Sequence, residues 1–284
     1  MTKSLRIKAL AAVALTAMLG ASFAFAAGEE THIERQKWSF AGFKGRFDQA
    51  QLQRGFQVYK EVCSVCHGLK RIYFRNLADP NGPGFPEEGV KGLAETYRVE
   101  DGPNDQGKMF QRPGRPSDTI PPPFKNEQEA RATHNGAYPP DLSLITKARS
   151  AGENDSVFAS IGSILRDVPG AYQEGGADYV YALLTGYTNP PAGMTLAQGM
   201  TYNRAFPGHQ IAMPPPLQPG QVKYEDGTPG TVEQYAKDVT AFLAWAGDPR
   251  LVERKRIGFL VMLYLLVTAA LVYFAKRRLW SNLH

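Results

Sequence analysis

Cys63-Ser64-Val65-Cys66-His67 is the stretch on which the reading of this chain turns. Two cysteines three positions apart, followed directly by histidine, form the C-x-x-C-H pattern of covalent c-type haem attachment. The spacing has a mechanical reason. On a helical turn positions i and i+3 face the same way, so both thiols can reach the two vinyl groups along one haem edge. His67 then lies under the iron and offers a ring nitrogen as proximal ligand. Three other chemistries use a C-x-x-C pair. A dithiol redox site sits in a βαβ context, which the neighbouring sequence does not show. A zinc site needs further Cys or His ligands at suitable spacing, and no second such pair exists in a chain with 2 cysteines. A short-range disulfide is open to any exported protein, but the trailing His67 favours haem. One motif means one haem.

Working outward, Leu52, Phe56, Tyr59 and Cys63 recur at helical intervals, with Asp48 placed to cap the helix start. Far along the chain, Thr231 and Gln234 have the spacing of a capping box. Tyr235, Val239, Phe242 and Ala246 then form one apolar stripe, and Gly247 and Pro249 stop it. This second helix is expected to pack on the first and close the haem pocket from both chain ends. The 28 glycines and 21 prolines exceed the usual share and predict long loops in between. The expected fold is mainly α: a c-type cytochrome haem domain with long loop insertions plus one C-terminal transmembrane helix.

The sixth iron position must be filled from elsewhere, and His134, His209, Met109, Met194, Met200 and Met213 are the candidates. Met213 leads, ahead of His209, because Pro214-Pro215-Pro216 biases it to extended backbone and stiffens the loop presenting its sulfur. Met/His ligation raises the reduction potential and closes the iron, which suits electron transfer. An open distal site would instead suit a peroxidase-like haem enzyme.

Both chain ends lie outside the globular part. Lys3, Arg6 and Lys8 precede an apolar run, and Ala24-Phe25-Ala26 offers small residues for cleavage, so residues 1–26 read as an export signal. Residues 257–274 contain no charge, and Arg254-Lys255-Arg256 and Lys276-Arg277-Arg278 flank them. A run of 18 apolar residues with basic flanks is a membrane span. Residues 27–249 are thus expected on the outer, periplasmic side of a bacterial inner membrane, 250–278 as a single anchor with basic flanks, and 279–284 as a cytoplasmic tail.

The formal charge of +5 invites a nucleic-acid reading. It belongs to the signal and the membrane flanks: residues 27–249 hold 22 basic and 26 acidic side chains. A nucleic-acid surface is excluded. Residues 79–105 carry Asp79, Glu87, Glu88, Glu95, Glu100, Asp101 and Asp105 against Lys91 and Arg98. That stretch reads either as a solvated loop or as an acidic surface that steers a basic redox partner. Asn81–Gly84 and the prolines at 121–123 read as turn and linker signals.

Several stretches, in order along the mature chain, resemble the cytochrome c1 family, the haem subunits of ubiquinol–cytochrome c oxidoreductase (cytochrome bc1) complexes. They are Arg54–His67, Asn135–Ser143 (NGAYPPDLS), Leu184–Tyr187 (LTGY), Phe206–Pro215 (FPGHQIAMPP), Tyr224–Thr228 (YEDGT) and the 236–245 helix leading to the tail anchor. The resemblance implies Met213 as sixth ligand and Arg149 as partner of a haem propionate. It implies an electron carrier, not an enzyme on its own, taking electrons from a Rieske iron–sulfur protein and handing them to a soluble c-type cytochrome. It also implies cytochrome b as a partner and a dimeric complex. A haem subunit of another respiratory complex is the alternative. Some bacterial members carry an additional loop disulfide, for which this chain has no spare cysteine, and residues 151–177 look longer than in mitochondrial-type members.

Overall fold

In a computed structural model, residues 33–149, 167, 170 and 172–281 are described. The export signal at 1–26 lies outside them, as do most of the 151–177 segment and the last residues of the tail. Asp48 caps the first helix, α1 (Gln49–Glu61), by accepting the Gln51 amide at 2.9 Å. The helix stops two residues before the first cysteine. Cys63–Val65 then form a single 3-10 turn, so the cysteines leave α1 on a tighter coil than the expected continuous helix.

Between the Cys63–Val65 turn and the C-terminal helices lie short elements. They are β1 (Leu69–Tyr73), a 3-10 turn (Phe74–Ala78), α2 (Glu87–Glu95), β2 (Arg98–Asp101), β3 (Phe110–Pro113), β4 (Thr119–Ile120), α3 (Glu127–Thr133), α4 (Ile145–Ala148), α5 (Gly175–Thr185), β5 (Thr201–Tyr202) and β6 (Gln210–Ile211). The strands form three antiparallel pairs, β1–β4, β2–β3 and β5–β6. The protein is mainly helical, and the pairs pin the loops.

The acidic 79–105 stretch is therefore not one loop. Glu87 and Glu88 sit in the first turn of α2, where carboxylates complement the helix dipole. Asp101 pairs across β2–β3 with Arg112, which also grips Asp118 at 2.6 Å. The guanidinium's hydrogen bonds hold both carboxyls below their ordinary range. Asn81–Gly84 does more than turn: a Cβ on Gly82 would stand 2.5 Å from the Trp245 indole nitrogen.

The core is the crossing of α1 with α6 (Val232–Gly247). Leu52, Phe56 and Tyr59 of α1 meet Phe242 and Trp245, with ring centroids 5.5 Å (Phe56–Phe242) and 6.0 Å (Tyr59–Phe242) apart. Gly55 permits this approach, since a Cβ there would lie 2.1 Å from the Asp238 carbonyl oxygen and 2.7 Å from Phe242 Cβ. Buried Asp238 seals the crossing. It accepts Arg54 Nε at 2.9 Å, Gln51 Nε2 at 3.2 Å and Gln234 Nε2 at 2.9 Å, so the buried carboxylate is fully solvated by protein. Thr231 caps α6 through the Gln234 amide at 3.2 Å. The expected reciprocal bond is missing, because the Gln234 side chain turns to the charged acceptor Asp238 and the Thr231 amide bonds Pro229 O.

The chain does not run straight from α6 into the membrane. Asp248, Pro249 and Arg250 interrupt it, and α7 (Leu251–Trp280) starts afresh. At 30 residues it reaches ~45 Å, longer than the uncharged run alone, and the mean hydropathy of 2.4 over its 18-residue apolar stretch suits a membrane span. Lys255, in its second turn, donates to the Phe40 and Gly42 carbonyls at 2.6 Å each. That N-terminal segment is tied in turn to α5, where the buried Asp178 carboxylate accepts Trp38 Nε1 at 2.7 Å and the Gln36 amide at 2.9 Å.

Gly55→Ala is expected to destabilise the protein by ~2 kcal/mol. Alanine's helix propensity returns up to ~1 kcal/mol, but overpacking against backbone costs ~1–3 kcal/mol or more. Denaturant unfolding in detergent, followed by circular dichroism, checks this; a variant as stable as the wild type would mean that the crossing has slack.

Candidate functional site

The 3-10 turn holds Cys63 and Cys66 as free thiols, both half-buried. The disulfide reading is thereby set aside for this conformation. The Cys66 and His67 amides both bond the Cys63 carbonyl, at 3.1 and 2.9 Å, which winds three residues into one tight coil. Burial, with a smaller contribution from Cys66, pushes the Cys63 thiol up to about 12.

His67 is held from both sides. Its backbone carbonyl accepts the hydroxyl of buried Tyr59 at 3.1 Å. Its ring nitrogen Nδ1 lies 2.8 Å from the Pro140 carbonyl oxygen. A carbonyl can only accept, so Nδ1 carries the proton and Nε2 keeps its lone pair. Burial lowers the imidazole's pKa, with the Pro140 hydrogen bond opposing. A neutral imidazole, oriented through Nδ1 and bare at Nε2, is the form a metal ligand takes.

Pro140 is itself fixed. The Asp141 carboxylate accepts the Lys70 amide at 2.9 Å and the Ser143 amide at 3.0 Å, and the Leu142 amide bonds Gly68 O at 2.9 Å. The Pro-Pro-Asp-Leu-Ser stretch is thus laced to β1 just after the attachment turn. A crevice opens beside Cys66 between Pro122, Pro123, Phe124, Tyr138 and Pro139. Pro122 and Pro123 of the 121–123 proline run line it, so the run is not a mere linker.

The sequence candidates for the sixth ligand separate here. Met109 and Met200 are 55% and 39% exposed. Met194 sits in a turn, its amide on Pro191 O at 3.1 Å. His134 Nδ1 donates to Ala130 O at 2.8 Å, and its Nε2 accepts the Cys66 thiol at 3.3 Å. His209, at φ 59, turns Nδ1 to Asn203 O at 3.2 Å and stacks on Tyr202. Met213 is half-buried, two residues past β6. Its carbonyl accepts the Tyr187 hydroxyl at 3.1 Å. Arg149 is exposed at the end of α4, near enough to Tyr179 for its charge to oppose the rise that burial causes in that phenol. Tyr179 in turn influences Tyr187.

Pro140, Tyr187 and the His134–Cys66 contact went unread in the sequence. The first acts through a backbone carbonyl, which no side-chain pattern encodes. The other two depend on contacts 26 and 68 residues apart.

Two unpaired thiols on one turn beside a neutral, Nε2-bare histidine fit covalent haem, and among the described residues no cluster of His, Cys, Asp or Glu offers an alternative metal site. Such a domain, tethered by one apolar helix, defines a membrane-anchored monohaem c-type cytochrome. The description "Cytochrome C1 family" matches residues 38–283. A cytochrome b/c1 of Bradyrhizobium diazoefficiens is 53% identical over 249 residues, 87% of this chain but 35% of that one. A mitochondrial cytochrome c1-2 heme protein of Solanum tuberosum is 42% identical over 95% of this chain and 94% of its own length. A cytochrome c1 of Rhodospirillum rubrum is 40% identical over 99% of both. The chain belongs to the cytochrome c1 family: it is a membrane-anchored electron-transfer subunit of the cytochrome bc1 complex with one haem c, not an enzyme on its own. The peroxidase-like reading and that of another respiratory complex are not favoured.

Asp141→Ala removes the carboxylate that fixes Pro140, and with it the orientation of His67. Leaving two amides without their acceptor is expected to cost ~1–2 kcal/mol of stability and to lower haem retention on mild denaturation. Urea titration at the haem band checks this; unchanged haem retention would show that Pro140 holds its place without Asp141.

Proposed function

We propose that Cys63 and Cys66 carry the thioether links to the haem, that His67 Nε2 and Met213 Sδ are its axial ligands, and that Arg149 neutralises a propionate. The observation that carries the ligand assignment is the His67 Nδ1–H bond to Pro140 O, which commits the other ring nitrogen to accept a metal. Bound there, the haem supplies a one-electron iron couple. The protein's part is to keep both ligands fixed, so that little reorganises when the charge changes. Tyr59 and Pro140 hold His67, and the Pro214–Pro216 run stiffens the segment bearing Met213. A guanidinium at Arg149 matches a carboxylate in shape and charge.

In this reading the chain accepts electrons from a Rieske iron–sulfur protein and passes them to a soluble c-type cytochrome. Cytochrome b is its membrane partner; a relative whose own name joins b and c1 in one longer chain supports the pairing. The excess of acidic side chains in residues 27–249 favours a basic acceptor. The sequence pattern of an export signal at 1–26 supports a haem domain on the periplasmic side of a bacterial inner membrane, with 279–284 in the cytoplasm. The complex is dimeric.

Met213→Leu is expected to lower the reduction potential by more than ~59 mV, a tenfold change in a one-electron equilibrium, and to abolish the long-wavelength thioether-to-iron absorption band. Redox titration of the purified complex checks both, and an unchanged potential and band would move the ligand elsewhere. Co-purification in mild detergent should bring down cytochrome b and an iron–sulfur protein; a haem–copper subunit in their place would overturn the assembly.

A further inference from the structure

We propose that Tyr187 is the positioning residue for Met213: its hydroxyl, bonded to the Met213 carbonyl, sets how firmly the thioether is held at the iron. The proposal rests on the reading of Met213 as sixth ligand.

The need for such a tie follows from the sequence around Met213. Pro214, Pro215 and Pro216 have no amide hydrogen, so the chain beyond Met213 can join neither a ladder nor a helix. Upstream, the last ladder contact is Ile211 in β6, opposite Thr201 in β5. Between residues 212 and 217, the bond from Tyr187 to Met213 is the one hydrogen bond among the described residues. Polyproline stiffness fixes the shape of this segment but not its position. Something must dock the stiff rod, and a single phenol does so.

Tyr187 suits this task because its own backbone is rigidly set. It follows Gly186 at the C-terminal cap of α5, whose flank packs on α6. Arg204 N bonds Gly186 O at 2.9 Å, and Tyr187 bridges Asn203. Asn203 is fully buried; its side chain donates to Leu183 O at 2.8 Å and accepts the Ala205 amide at 2.9 Å. Gly186 is required there, since a Cβ would lie 2.6 Å from Ala182 O and 2.9 Å from Asn203 Oδ1. The phenol therefore stands on a braced corner, and the Met213 segment leans on it. At 3.1 Å the bond is at the long end for a hydroxyl donor. Its effect belongs in the lower part of the range for a neutral hydrogen bond.

Imidazole, which competes with the thioether for ferric iron, reads this directly in the haem-loaded full chain. Tyr187→Phe keeps the ring and removes the hydroxyl. It is expected to bind imidazole about three- to fivefold more tightly than the wild type, ~0.7–1 kcal/mol, with the long-wavelength thioether band bleaching at correspondingly lower imidazole. Tyr181→Phe, on α5 just before Tyr187 and against Trp38 but without a bond to Met213, should leave the affinity unchanged. Equal imidazole affinity in Tyr187→Phe and wild type overturns the proposal, as does an equal rise in Tyr181→Phe, which would mark a general loosening of α5. Met213→Leu tests the underlying reading separately: if the band persists in that variant, Met213 is not the ligand, whatever Tyr187→Phe does.

Discussion

Everything in this molecule hangs on the contact of Gly55 with the Asp238 carbonyl. Hydrophobic burial draws α1 and α6 together, but only a residue without a side chain lets their backbones come this close. The attachment turn leaves the end of α1 two residues on. The position of both cysteines is therefore inherited from a crossing some residues away. Asp238 converts that crossing from a greasy contact into a registered one. A buried carboxylate is tolerable only when its donors meet it, and Gln51, Arg54 and Gln234 do so from both helices. A slip of one helical turn along the interface would strand the charge.

Around that frame the site is assembled from backbone as much as from side chains. His67 is oriented by a carbonyl, Pro140 is steadied by amides folded onto Asp141, and Met213 is reached through its own carbonyl. Prolines recur at these points: Pro122 and Pro123 in the crevice wall, Pro140 beside the ring, Pro214–Pro216 behind Met213. Rigid, donor-poor segments change shape little when a nearby charge changes. That is a useful property around a centre that gains and loses electrons.

The parts legible in the sequence were those written in side-chain periodicity or in covalent pattern. The attachment motif, the Asp48 and Thr231 caps, the apolar stripe of α6 and the uncharged run in α7 all belong here. Each is a local regularity with a local cause. Boundaries were less readable. The helix before Cys63 ends early because the attachment turn tightens, and the anchor helix begins at Leu251 because Asp248-Pro249-Arg250 breaks the chain. The capping box at Thr231 was half right, since the buried Asp238 carboxylate claims the Gln234 side chain. The acidic 79–105 stretch hid a helix and a strand because short elements pinned by tertiary contacts need no strong periodicity. Least legible were Pro140, Tyr187 and Asp178, whose roles exist only once distant segments meet.

The interruption at 248–250 matters less as a hinge than its composition suggests. Lys255 reaches back past it to two carbonyls of the N-terminal segment, and Trp38 anchors that segment to Asp178 on α5. The head is thus moored to its mast at two points, and a body held at two points cannot swivel about one. On the proposed reading, a haem at Cys63 and Cys66 would keep one height and heading relative to the anchor helix, and any travel needed to pass an electron would fall to its partners.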